Sequence, residues 1–70
     1  MAPSNPHLSA RERQKIETRQ RLYDASLGLF QKKGFDEVQV DEIVKVAGVA
    51  RGTFYLHYQG KEEVLQAFRQ

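Results

Sequence analysis

Cysteine is absent from the 70 residues, which removes both a disulfide framework and any thiolate metal site and fits a reducing cytosol. The two histidines, His7 and His57, stand far apart, so no metal pair is expected. No apolar run approaches the ~18 residues of a membrane span, and Met1 to Pro6 lacks the apolar core of a secretory signal. A cytoplasmic location without membrane attachment is the expectation. Paired carboxylates and a phosphate-binding glycine loop are missing as well, which leaves little for catalysis, so neither an enzyme nor a cofactor is expected. There is no internal repeat and no low-complexity tract. Strong charge of one sign is also lacking, since the net charge is only +2.

The remaining composition, 40% hydrophobic and 29% charged, is that of an ordinary globular chain. At this length a single core is possible, burying only about 60% of the unfolded surface. The mild total charge hides an uneven distribution. Arg11, Arg13, Lys15, Arg19 and Arg21 crowd the first third, whereas Asp36, Glu37, Asp41 and Glu42 sit together later.

Residues 1–8 hold both prolines and show no periodicity, so they read as a flexible arm. Ser9 stands three before Glu12, a capping-box spacing that predicts a helix from near Ala10. Only Gly28 weakens helix geometry from there to Lys33. The front half is charged nearly all round, while Leu22, Ala25, Ser26, Leu29 and Phe30 form a stripe at helical spacing. Lys32 and Lys33 suit the negative pole, and Gly34 suits a left-handed stop. Phe35 to Gln39 make a connector, with Phe35 and Val38 expected under the bundle.

The stretch Asp41 to Tyr58 is a helix-turn-helix signature. Ile43, Val44 and Ala47 share one helical face, within a helix expected at about Val40 to Ala47 that has Asp41 and Glu42 in its first turn. Gly48 interrupts, Val49 is expected as a buried plug, and the period resumes at Phe54 and Tyr58 in a second helix of about seven residues. That helix spans roughly 10 Å, a fit for a major groove about 12 Å wide. It is too short to persist alone, because isolated helices need about 12 to 15 residues. Gln59 and Gly60 make a turn, and Lys61 to Gln70 begin a fourth helix on Val64, Leu65 and Phe68. It carries no stop signal and is expected to continue toward a neighbour.

Laid out in this order, the residues resemble the amino-terminal DNA-binding domain of the TetR family of transcriptional regulators. The matching landmarks are the L-x-x-A-x-x-L-F from Leu22, Gly34-Phe35, Val40, Ile43, Ala47-Gly48-Val49, Gly52-Thr53-Phe54-Tyr55, His57-Tyr58 and Lys61-Glu62. The resemblance implies an all-α, homeodomain-like three-helix bundle with a helix-turn-helix and the start of a fourth helix. Residues 9–60 would form the DNA-binding domain and residues 61–70 the start of the fourth helix, leading to a second domain that binds ligands and dimerises. It also implies a ligand-released repressor working as a homodimer on a near-palindromic operator, with double-stranded DNA as partner and a small molecule as inducer. Where the family commonly has Thr or Ser at helix caps, this chain has Gln39, Ala50 and Gly60; losing such a hydroxyl typically costs ~1 kcal/mol.

Several side chains are expected to carry recognition. Arg51 can reach a phosphate or the O6/N7 edge of guanine, the plain alternative being a solvated surface arginine. Gly52 lets backbone approach the groove, or is merely tolerated. Thr53 can offer its hydroxyl to a phosphate or its methyl to thymine, and Tyr55 its phenol to the DNA backbone, against simple rim packing. His57 matches a position that donates to phosphate in the family, with a structural hydrogen bond as the alternative. Lys61 is expected to clamp a phosphate at the head of the fourth helix. Gln39 could reach one with its amide, and Arg19 could do so from the basic face of the first helix or lie solvated. Phe54 and Tyr58 belong to the core. A helical protein-interaction module without DNA binding is the competing function, motivated by the small net charge and the missing cap hydroxyls.

Overall fold

The computed structural model describes residues 9–69; the expected arm at 1–8, with His7, and Gln70, expected within the fourth helix, lie outside them. Four helices follow in order: α1 (Ala10–Lys33), α2 (Val40–Ala47), α3 (Arg51–His57) and α4 (Lys61–Arg69), with a 3-10 turn (Phe35–Glu37) between α1 and α2. No strand occurs among the described residues. The all-α helix-turn-helix bundle expected from the sequence is the fold observed.

Helix α1 is the spine. The Ser9 hydroxyl accepts from the Glu12 amide at 3.1 Å, and the Glu12 carboxylate accepts from the Ser9 amide at 3.0 Å, closing the predicted capping box. At the other end Gly34 has φ 92 and ψ 144. Its φ is positive, as expected, but its ψ is extended rather than left-handed helical, and this swings the chain directly into the 3-10 turn. Phe35 of that turn lies 5.0 Å from Phe30, centroid to centroid.

One cluster forms the core: Leu22 and Ala25 of α1, Val38 of the connector, Ile43, Val44 and Ala47 of α2, Phe54 and Tyr58, and Val64 of α4. Ser26 is buried among them and spends its hydroxyl on the Leu22 carbonyl at 2.8 Å, so the one buried polar side chain among the described residues is satisfied. Val49 differs from the expected plug and is only partly buried. The reason is local: Gly48 takes the left-handed conformation (φ 76, ψ 35), and Gly48 and Val49 both donate to the Val44 carbonyl, at 2.8 and 3.0 Å. This tight stop lifts Val49 to the rim. Leu65 is half-buried and Phe68, at 58% exposure, stands outside the core.

Two helix starts that lack a hydroxyl are served from inside the helix. Glu42 accepts from the Gln39 amide at 3.0 Å, and Glu63 accepts from the Gln59 amide at 2.5 Å. Ala50 makes no side-chain cap bond, so α3 depends on its neighbours as its length requires. Glu42 also pairs with Lys33, tying the end of α1 to the head of α2. That ammonium, followed by the Gln39 amide, holds the Glu42 carboxyl below its ordinary range.

Candidate nucleic-acid interface

A seven-residue helix turns about 100° per residue, so each side chain of α3 is placed once Phe54 is fixed. Phe54 is fully buried, and Tyr58 lies 5.7 Å from it, centroid to centroid. Arg51 and Tyr55 then share one flank, Thr53 and His57 the other, and Gly52 and Leu56 point away from the core.

The first flank faces α2. The Arg51 Nε lies 3.4 Å from Asp41 Oδ1, and its guanidinium carbon lies 5.8 Å from the centre of the Tyr55 ring. Tyr55 is 46% exposed and sets its ring edge-on to Phe54 at 5.2 Å. Tyr55 first, and the charge of Asp41 second, hold the Arg51 proton more tightly than usual. Arg51 is thus aimed by two partners while remaining exposed. The Asp41 contact was not foreseen in the sequence, although ten residues separate two charges that both sit at helix starts.

The second flank faces the front half of α1. Thr53 and His57 line a shallow groove of about 410 Å³ with Arg11, Lys15 and Thr18 on the opposite wall. Arg11, Lys15 and Arg19 recur every fourth residue and so form one basic stripe on α1. Partial burial, then the charges of Arg19 and Lys15, hold the His57 pKa below its ordinary value. Its imidazole is therefore neutral near pH 7 and able to donate one hydrogen bond.

Arg19 and Lys61 are both engaged inside the chain. The Arg19 Nη1 donates to the His57 carbonyl at 2.9 Å, and its guanidinium lies 4.4 Å from the Tyr58 ring centroid. It closes the end of α3, where the helix exposes unpaired carbonyls. The Lys61 ammonium donates to the carbonyls of Phe35 and Val38 at 2.7 and 2.9 Å, with that of Asp36 at 3.4 Å, and stands 4.6 Å from the Phe35 ring centroid. Its three N–H bonds have three internal acceptors, so it fastens the 3-10 turn to the head of α4.

Gln39 is exposed at the head of α2. Gly52 is exposed too, and a Cβ added there would meet nothing within 4 Å, so the protein itself does not require glycine at this site. Leu56, which the sequence reading passed over, is 80% exposed at the outermost position of α3. Its signal was available: it falls two residues from Phe54, on the opposite face. Among the described residues no group of His, Asp and Glu could hold a metal ion, and no helix is long and apolar enough to cross a membrane.

Two short helices joined by a left-handed glycine turn, braced by a longer one and leaving the second short helix open to solvent, define a helix-turn-helix domain. Residues 22–68 match the family model for bacterial regulatory proteins of the tetR family, and the chain belongs to that family. It is 51% identical over 51 residues to the HTH-type transcriptional regulator SrpR of Pseudomonas putida, covering 73% of this chain and 24% of SrpR. It is equally similar, at 51% over 51 residues, to the uncharacterized HTH-type transcriptional regulator TtgW, also of Pseudomonas putida, covering 73% of this chain and 38% of TtgW. The HTH-type transcriptional regulator AcrR of Shigella flexneri is 42% identical over 48 residues, 69% of this chain and 22% of AcrR. The chain therefore spans well under half the length of these relatives, each named as a transcriptional regulator. No solved structure matches it.

Proposed function

We propose that this chain binds duplex DNA sequence-specifically by laying α3 in the major groove, as the reading domain of a ligand-released transcriptional repressor in the cytoplasm. The observation that carries this reading is the division of α3: Phe54 fills the core, while Arg51, Gly52, Thr53, Tyr55 and His57 are all left at least partly open to solvent around it. Arg51 is assigned to a base edge or an adjacent phosphate. Thr53, Tyr55 and His57 are assigned to the backbone of the two flanking strands, and Gln39 to a phosphate at the head of α2. Arg19 and Lys61 serve this surface chiefly by positioning it, and a phosphate contact by Lys61 requires its ammonium to leave the carbonyls that hold it.

Residues 9–60 form the reading unit in this proposal, and 61–70 begin the helix that leads to a dimerising, inducer-binding domain. A homodimer would set two α3 helices about 34 to 36 Å apart, or a multiple of that, on a near-palindromic operator. The test is titration of the wild-type chain and Arg51→Ala against a duplex enriched from a random pool and against unselected duplex. Arg51→Ala is expected to weaken the enriched duplex by about tenfold or more and the unselected one far less. Equal, negligible changes on both would overturn the assignment of Arg51.

A further inference from the structure

We infer that Leu56 reads a thymine through its C5-methyl group, an inference that rests on DNA binding by α3 and names a base which that reading leaves open. Leu56 is 80% exposed, more than any other large apolar side chain described. It lies about 160° around the helix from Phe54, so it projects along the line that leads out of the core. Its neighbour one turn earlier on the same outer line is Gly52, which has no side chain, and nothing polar shares the ridge. The isobutyl group is thus the outermost apolar side chain of α3, at its crest, and it also borders the groove that holds Thr53 and His57.

The flanks of that crest say what kind of surface it meets. Arg51 lies on one side, and Arg11 and Lys15 line the groove on the other, beside Thr53 and His57. Arg51 is exposed but paired with Asp41, so the apolar point stands between one shared cation and the two cations Arg11 and Lys15, an arrangement that complements a surface with anionic rails and an apolar feature midway. The major groove has that form: phosphates run along both edges, and the thymine methyl is the apolar group that base pairs display between them. A leucine has no donor or acceptor and cannot read the other base-edge positions by hydrogen bonding. Its preference is confined to that methyl.

The experiment enriches binding sites for the wild-type 70-residue chain from two random duplex pools, one synthesised with thymidine and one with deoxyuridine, which differ only by the methyl group. Leu56→Ala is run in parallel. Because Leu56 lies outside the core cluster, the variant should keep wild-type helicity and melting temperature, and both are checked by circular dichroism. The expected result is a site in which one thymine column appears only for the wild type in the thymidine pool, while the columns set by other residues persist in every arm. On the enriched duplex, replacing that thymine by deoxyuridine should weaken wild-type binding about fourfold, the effect of one apolar carbon removed from contact. Leu56→Ala should be unmoved by the same replacement. Survival of the column with deoxyuridine, or with Leu56→Ala, would overturn the inference while leaving DNA binding intact. A failure of any pool to enrich would instead remove the DNA-binding reading on which it stands.

Discussion

The two halves of α1 share one backbone geometry and are held by different forces. From Leu22 onward the helix presses Leu22, Ala25 and Ser26 into the core, flanked by half-buried Leu29 and Phe30, and its stability comes from tertiary packing. From Ala10 to Arg21 every residue except the partly buried Thr18 is exposed. That front half is held by the capping box at its start and the Arg19 bond to α3. The difference separates two jobs. The back half makes the fold, and the front half carries a row of cations to the side of α3. Such a projection has little reason to exist for stability, since it buries almost nothing.

The largest effect should fall on the back half. Leu22→Ala opens a cavity at a fully buried site and is expected to destabilise the domain by about 2 to 5 kcal/mol, read from thermal or urea unfolding. A change below about 1 kcal/mol would mean that α1 is not the spine of the core. On the front half, Ser9→Ala removes a cap worth about 1 kcal/mol. Amide protection should drop over the first two turns of α1 and persist beyond Leu22, as native-state hydrogen exchange would record. Loss of protection along the whole helix would show that the halves form one cooperative unit, which breaks the comparison.

The smallest effect sharpens the groove between the front half and α3. The His57 pKa is depressed in the free protein, so the unfolded state binds more protons and stability falls as pH drops through the ordinary histidine value toward the folded one. A phosphate in the groove would oppose the charges of Lys15 and Arg19 and favour the imidazolium, so DNA binding should take up a proton. Affinity is therefore expected to rise as pH falls through the same window, by less than about tenfold per unit. His57→Gln should flatten that rise. A wild-type affinity independent of pH between about 5.5 and 7.5 would place phosphate away from His57.

The helices were legible because their ends carry local chemistry. Ser9 with Glu12, Lys32-Lys33-Gly34, and Gly48 mark boundaries through capping and backbone freedom, and the stripes at 3.6 spacing mark the buried faces. What the sequence concealed is decided by partners distant along the chain. The sequence predicts a phosphate for Lys61, and a phosphate or solvent for Arg19, yet each finds backbone carbonyls more than twenty residues away. From sequence, Glu42 only suits the first turn of its helix and Glu63 has no role, yet both supply bonds at helix starts that lack a hydroxyl. Leu56 is passed over in the sequence reading, although the core assignment of Phe54 two residues earlier already sets it on the opposite face.

The account depends most on α3 and the front half of α1 presenting one cationic surface to a duplex. The direct test is the affinity of the 70-residue chain for duplex DNA across a series of salt concentrations. The logarithm of affinity should fall against the logarithm of salt with a slope steeper than about −3, the sum of four or more phosphate contacts at about −0.9 each. Retention that does not change with salt, or no retention even at low salt, would contradict it.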